Sequence, residues 1–459
     1  MTGQPTEAGL PRVLGVRQLT YIVIGTVIGS GIFVVPGAVL RQSGGSVGVS
    51  LLIWLAGGVL SLLGALTYAE LGAMRPKSGG LYVYIRDAFG RFPAFLFGWT
   101  LFFIIGSGTI ATLAVAAVAY LGQLVTLGPW ASRAVAVGMI ALIAAINVRG
   151  TRGSMRLQEW TTVFKVAGIL VMSALFLLWG RGSGVPPAAP GPEAAAGTTL
   201  SGVGLAMIAT LWAYEGWQYV TYSAGEARDP QRTFHRGIVV GTAALILIYL
   251  LASVAYLAAL GPAGVARSDR VAADAATALF GPVAGKVIAL MILVSIFSAA
   301  NATLFTTPRA FFAMARDGIF FRKLAEIHPR YGTPAFAILA CALWSMLLAA
   351  TGTFEQLLTY VVFIGWIFYA LGAASIFSYR IREPGAVRPF RVPGYPVTPI
   401  LFTLAAAAIV VNTMVAQPER AAIGLGVVLL GSPAYLIWRR RGANAAEVLA
   451  PSRAGEPRA

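Results

Sequence analysis

The sequence predicts an all-α polytopic membrane protein with twelve membrane-spanning helices, and three observations carry that prediction. The 459 residues are 58% hydrophobic and only 11% charged, with a mean hydropathy of +0.77, whereas a soluble chain carries roughly 25% charged residues. Twelve apolar segments approach the ~20 residues that a helix needs to cross a bilayer. The Lys and Arg residues in the gaps between those segments alternate sharply from gap to gap.

In chain order the segments are 16–40, 47–71, 92–122, 129–147, 159–180, 201–224, 238–260, 284–307, 334–351, 357–379, 397–416 and 421–438. Of the 34 Lys and Arg residues, 26 fall in one set of gaps, among them Arg75, Lys77, Arg86, Arg228, Arg232, Arg309, Arg316, Arg380 and Arg388. Seven fall in the alternate set, and Lys165 alone lies deep inside a span; Arg17, Arg133 and Lys286, at the edges of their spans, are counted with the adjoining gaps. By the positive-inside rule the basic gaps and both termini (1–15 and 439–459) are cytoplasmic. The formal charge of +17 is thereby an orientation signal. It is not a nucleic-acid patch, which would gather its Lys and Arg on one face of a soluble fold. The gap 181–200 carries a Pro-rich stretch at 185–192 and is expected to be a stiff outside loop, the gap 380–396 a cytoplasmic one. The polar stretch 442–459 is expected to be disordered.

Several function classes drop out. Cys341 is the only cysteine and lies in an apolar run, so neither an internal disulfide nor a cysteine metal cluster is expected. His235 and His328 both lie in gaps, and no metal or cofactor is expected. A membrane-embedded enzyme would need a nucleophile–base pair or metal ligands at depth; no His or Asp lies in any predicted span, which disfavours that class. The first apolar stretch is too long for a cleavable signal peptide.

Two spans are interrupted. The first reads GTVIGSGIF, with Gly25, Gly29 and Gly31 inside seven residues. Close helix packing is one reading. Unwinding at Gly29–Gly31 is the other, because glycine leaves helical geometry most easily. The sixth reads LWAYEGWQYV and sets Glu215 beside Gly216 in mid-span. A carboxylate there costs roughly 2.5–3.5 kcal/mol, so it needs a bonded neighbour or a wet cavity. Gly29 lies ~20 Å into its span and Glu215 ~21 Å into the other at 1.5 Å per residue. The two spans run in opposite directions, so the breaks meet near the midplane. Matched interruptions in two halves are the best sequence pointer to a transport site. They divide the chain into two inverted repeats, 16–180 and 201–379, followed by 397–438.

An unwound helix exposes amides and a positive dipole end after the break, and carbonyls and a negative end before it. The amides at Ser30, Gly31 and Ile32 suit a carboxylate. The carbonyls of Val27 and Ile28, with those of Trp212, Ala213 and Glu215, suit an ammonium. The expected ligand is a zwitterion, with Trp212 either a lid over it or an ordinary packing residue. Lys165 lies ~12 Å into the fifth span. It either snorkels to the surface or sets its ammonium against the carbonyl end of the first half-helix, where a coupling sodium ion would otherwise sit.

These motifs resemble the amino acid–polyamine–organocation (APC) superfamily, and most nearly its L-type amino acid transporter branch. The resemblance covers about residues 13–440. It is carried by GTVIGSGIF at 25–33, LWAYEGWQYVTYSAGEARDPQRTF at 211–234, LFTTPRAFFAMARDG at 304–318 with HPRYGTPAFAI at 328–338, and RPFRVPGYPVTP at 388–399, in family order. It implies a LeuT-type 5+5 inverted repeat with discontinuous helices 1 and 6. It implies a carboxylate site at Ser30 and Gly31, amine contacts at Val27 and Trp212, a gating tyrosine at Tyr249, and Lys165 as the family's fifth-helix lysine. Many members carry a small residue where Glu215 stands. Here Glu215 contacts a cationic side chain, carries a coupling proton, or bonds a neighbour. The expected function is sodium-independent exchange or proton symport of a neutral L-amino acid across the cell membrane. The alternative is a polyamine, amine or cationic amino acid permease of the same fold. The expected partners are the substrate, the lipid bilayer and, in the symport scheme, a proton. L-type members that pair with a glycoprotein do so through an outside-loop cysteine; this chain has none, so no disulfide-linked subunit is expected.

Overall fold

The computed structural model describes residues 10–122, 124–180, 199–351, 354–416 and 418–449. These form an all-helical protein whose only strand-like feature among the described residues is a single bridge between Leu14 and Ala227. The Pro-rich stretch at 185–192 lies outside them.

The helices are α1 (Val16–Val27), α2 (Gly31–Gln42), α3 (Val47–Met74), α4 (Leu81–Phe89), α5 (Arg91–Leu121), α6 (Pro129–Val148), α7 (Thr151–Trp179), α8 (Leu200–Ala213), α9 (Pro230–Arg267), α10 (Val271–Phe280), α11 (Pro282–Arg316), α12 (Ala335–Thr351), α13 (Phe354–Arg382), α14 (Val397–Ala416) and α15 (Pro418–Leu449). Among the described residues, nine helices are long and apolar enough to cross a membrane, and α1 with α2, bent by 49° at their junction, makes a tenth span. The two expected spans outside this set are short helices. The sixth is α8, 14 residues long, followed by a 3-10 turn at Trp217–Glu226. The ninth is α12, with 17 residues.

Boundaries differ from the sequence reading where local chemistry overrides hydropathy. Helix α7 starts at Thr151, two turns before the expected apolar edge. Helix α9 starts with Pro230 as its first residue, a position where the missing N–H costs nothing. Helix α15 runs to Leu449, so the expectation of disorder from 442 fails for its first residues. The stretch Ala443–Leu449 is alanine-rich, and alanine has the highest helix propensity.

Helix α1 lies among α7, α9 and α11, and α2 packs on α8 and α9. Both interrupted elements are therefore central. Exposed apolar residues such as Leu52, Leu178, Leu247, Leu290 and Leu404 lie on long apolar helices, as expected of surfaces that meet lipid. A buried network of neutral polar groups ties three helices together. Gln158 of α7 donates to Ser298 of α11 at 3.0 Å and accepts from Asn301 at 2.9 Å. Asn147 of α6 donates to Asn301 at 2.9 Å. Each bond satisfies a group that lipid could not, which fixes α6, α7 and α11 relative to one another beside α1.

Candidate functional site

The first break begins where α1 loses its hydrogen-bond ladder. The last helical bond runs from the Ile28 amide to the Ile24 carbonyl at 3.0 Å, and the Gly29 amide turns back to Val27 at 2.8 Å. Ile28 has ψ +86°, and α2 restarts at Gly31. The carbonyls freed by this turn are met by side chains from three other helices. The Lys165 ammonium, fully buried, donates to Gly25 at 2.8 Å and Ile28 at 2.7 Å. Ser295 shares its proton between Ile28 and Gly29, each at 3.0 Å. Tyr249 sets its hydroxyl between the Val27 carbonyl at 3.2 Å and the Ala213 carbonyl at 3.1 Å, touching both breaks at once. A cation at the carbonyl end of a half-helix meets the negative end of its dipole.

The second break follows α8. The Glu215 amide bonds the Trp212 carbonyl at 3.0 Å. Gly216 then takes φ +125°, a left-handed backbone open to glycine and strained for other residues. Thr26 lies about 3.0 Å from where a β-carbon on Gly216 would stand, and its hydroxyl reaches the Gly216 carbonyl at 3.0 Å. The Glu215 carboxylate accepts from Gln218 at 2.5 Å and from Tyr369 of α13 at 2.6 Å. Both donors are neutral.

The two breaks touch. A β-carbon on Gly31 would lie 2.8 Å from the Ala213 α-carbon, so glycine there permits backbone-to-backbone approach. Beside this contact lies a cavity of about 40 Å³ lined by Thr26, Val27, Gly29, Ser30, Gly31, Thr109, Thr112, Leu113, Trp212, Ala213 and Glu215. That is room for roughly three water-sized probes at 10–15 Å³ each, so an amino acid enters only as the walls part. The Ser30 hydroxyl is buried with no hydrogen-bond partner among the described residues.

Seven of the residues singled out in the sequence thus line one cavity: Val27, Gly29, Ser30, Gly31, Trp212, Ala213 and Glu215. Ile28 does not line it, and its carbonyl is already engaged by Lys165 and Ser295. Lys165 and Tyr249 stand behind the cavity, on the carbonyls that the breaks release. The sequence reading missed Thr26 and the α5 wall of Thr109, Thr112 and Leu113. The only signal for the wall was two threonines three apart in the apolar run GTIATL.

The face bearing the basic gaps is closed by polar contacts. The Val13 and Leu14 amides both bond the Glu226 carbonyl at 2.9 Å, and the Arg228 amide bonds Leu14 at 2.7 Å. Glu226 and Arg309 form an ion pair at 2.8 Å with both side chains at most 1% exposed, and Arg309 also donates to the Phe305 carbonyl. A wider cavity of about 810 Å³ lies on this face, lined by residues that include Arg12, Lys77, Arg86, Arg316 and Asp317. It contains none of the break residues. On the opposite face Arg41 of α2 holds the Ala266 carbonyl at 2.6 Å and Asp269 at 3.1 Å, the latter 82% exposed.

Residues 14–430 match the amino acid permease family. The chain is 32% identical to the serine/threonine exchanger SteT of Bacillus subtilis, covering 95% of this chain and 99% of that protein. It is 32% identical to the large neutral amino acids transporter small subunit 2 of Rattus norvegicus, over 94% of this chain and 82% of the relative. It is 31% identical to the human cystine/glutamate transporter, over 92% and 84%. With two touching helix breaks around one cavity and a family match over nearly its whole length, this chain belongs to the amino acid permease family of the APC superfamily.

Proposed function

We propose that this amino acid transporter moves a neutral L-amino acid without sodium, by exchange or proton symport, and holds the zwitterion between the two helix breaks. One observation carries the reading: Lys165 occupies the carbonyls of Gly25 and Ile28 while the rest of both breaks faces one cavity. A fixed ammonium at the carbonyl end supplies the charge a coupling sodium ion would supply. The amides of Ser30 and Gly31, at the start of α2, take the α-carboxylate. Val27, Trp212 and Ala213 take the α-ammonium. Ile28 drops out of that role because it does not line the cavity and Lys165 and Ser295 hold its carbonyl from behind. Tyr249, bonded to both breaks, acts in gating, and Trp212 covers the substrate.

In this reading the chain spans the cell membrane twelve times as a 5+5 inverted repeat plus two helices, α8 with its 3-10 turn and α12 completing the count. The basic face and both termini are cytoplasmic. The site alternates between the two sides as the bundle rocks. No disulfide-linked subunit is required.

A second reading stays open on one observation. The partners of Glu215 are the neutral Gln218 and Tyr369, so its carboxylate is free to meet a cationic substrate side chain. Counterflow in sodium-free proteoliposomes, run with each of the twenty amino acids and with a polyamine, separates the readings. Neutral amino acids are expected to exchange. Flux restricted to polyamines, or flux that needs sodium, contradicts the proposal.

A further inference from the structure

Between Glu215 and the Arg-rich face runs a column of buried tyrosines drawn from four elements. Tyr369 of α13 donates to Glu215 at 2.6 Å. Tyr68 of α3 bonds the Tyr369 carbonyl at 2.8 Å. Tyr219 of the 3-10 turn bonds the cavity residue Thr109 at 3.3 Å, and its ring lies 5.7 Å from that of Tyr222. The ring of Tyr84 on α4 lies 6.4 Å from Tyr68. Tyr379, ten residues beyond Tyr369 on α13, has the Arg75 guanidinium 5.7 Å from its ring centre, and Arg75 pairs with Glu383. None of these six tyrosines is more than 3% exposed.

The hydroxyls of Tyr84, Tyr222 and Tyr379 are buried and have no hydrogen-bond partner among the described residues. Packing alone favours phenylalanine at such positions, since an unpartnered buried hydroxyl carries a desolvation penalty. Three of them stand between a buried carboxylate and a charged surface. What suits such a series is a small species that hydrogen-bonds in passing. The upper end supplies a reason for it: Glu215 meets Gln218 and Tyr369 directly, with Tyr68, Tyr219 and Tyr222 in electrostatic range. None of these is a cation, and an ionisable residue kept at membrane depth marks a substrate or ion pathway or a proton relay. At the lower end, Tyr379 lies among Arg75, Arg86, Asp87 and Glu383, and Tyr82 on the same short helix α4 bonds Asp317 at 2.6 Å.

We propose that this tyrosine column, bridged by water, conducts one proton between Glu215 and the cytoplasmic face, coupling amino acid movement to proton movement. On release, the Glu215 carboxylic acid gives its proton to the next hydroxyl or water oxygen. Each oxygen passes its own proton on, and the last one leaves at the charged rim. Glu215 ends as a carboxylate and every tyrosine ends neutral. The reverse sequence reloads Glu215. The inference rests on the reading of the break cavity as the transport site.

The test uses the full chain in sodium-free proteoliposomes with an entrapped pH dye. In the wild type, an imposed amino acid gradient is expected to move protons. The double variant Tyr84→Phe/Tyr222→Phe keeps side-chain volume and lies outside the cavity. It is expected to keep its thermal unfolding midpoint and its counterflow at equal pH, while its proton signal slows about tenfold. Each single variant gives a smaller slowing, and Glu215→Gln abolishes the signal. A double variant with a wild-type proton rate overturns the route, and so does a wild type that exchanges amino acids with no proton signal. Absence of counterflow for every amino acid in the wild type overturns the transport reading itself, and the route with it.

Discussion

The two helix breaks meet at one cavity but are built in opposite ways. The first, at Ile28–Gly29, is held from a distance: Lys165, Ser295 and Tyr249 come from three separate helices to carbonyls that α1 cannot satisfy. The second, at Glu215–Gly216, is held mostly from nearby. Gln218, three residues on, bonds both the Gly216 amide and the Glu215 carboxylate, and Tyr369 is the one distant side chain on Glu215. The first carries a buried cation and the second a buried acid.

That difference assigns different work to each break. The first is a joint between α1 and the α6–α7–α11 unit, with the Lys165 amine committed to two backbone carbonyls. Lys165, Ser295 and Tyr249 are all engaged there, so it has little freedom to vary. The second holds its acid with neutral donors inside its own neighbourhood. Its charge is free to respond to a proton or a substrate side chain. Under the proposed function, the anchor governs whether the cycle starts, and the acid governs what it carries and what it is coupled to.

The sharpest way to break this contrast is at Lys165. Lys165→Met removes two charge-assisted hydrogen bonds at ~1.5–3 kcal/mol each, and counterflow is expected to fall by ~100-fold or more. A variant within threefold of wild type would show that the first break does not need its anchor. Next in size is Gly31→Ala. Its new methyl meets the Ala213 backbone, an overpacking cost of ~1–3 kcal/mol, and substrate affinity measured by thermal shift is expected to drop by about tenfold or more. Tyr249→Phe removes a hydroxyl that bonds a carbonyl of each break, a loss of ~1 kcal/mol; the initial exchange rate is expected to fall about fivefold. Ser295→Ala is the mildest, because Lys165 still serves the Ile28 carbonyl. An interhelical bond in a membrane averages ~0.6 kcal/mol, or about threefold in rate. A loss at Ser295 as deep as that at Lys165 would mean that the joint depends on hydroxyl geometry and not on charge.

Both breaks were readable in the sequence because their signals are expensive. Three glycines in seven residues, a lysine inside an apolar span and a carboxylate beside Gly216 each demand a reason at membrane depth. Their partners were less readable. Tyr369 lies 154 residues from Glu215, and nothing local marks it among sixteen tyrosines. Thr109 and Thr112 depend on the rotation of α5, which an evenly apolar helix does not reveal. The sequence reading also gave the Ile28 carbonyl to the substrate while placing Lys165 at the same helix end. Only the geometry shows that the lysine and Ser295 take it. The short α8 and its 3-10 turn follow the same logic: hydropathy runs on through Trp217–Tyr222, but Gly216 at positive φ ends the α-helix.

The claim that the two breaks together grip a zwitterion is tested most directly with three ligands on purified protein. An amino acid that supports counterflow, its carboxamide and its decarboxylated amine are compared by binding in sodium-free buffer. The expected result is saturable binding of the amino acid alone, with both analogues weaker by about a hundredfold, the loss of a charge-assisted contact worth roughly 3 kcal/mol. Equal binding of the decarboxylated amine would contradict a carboxylate site at Ser30 and Gly31 and leave the breaks serving some other ligand.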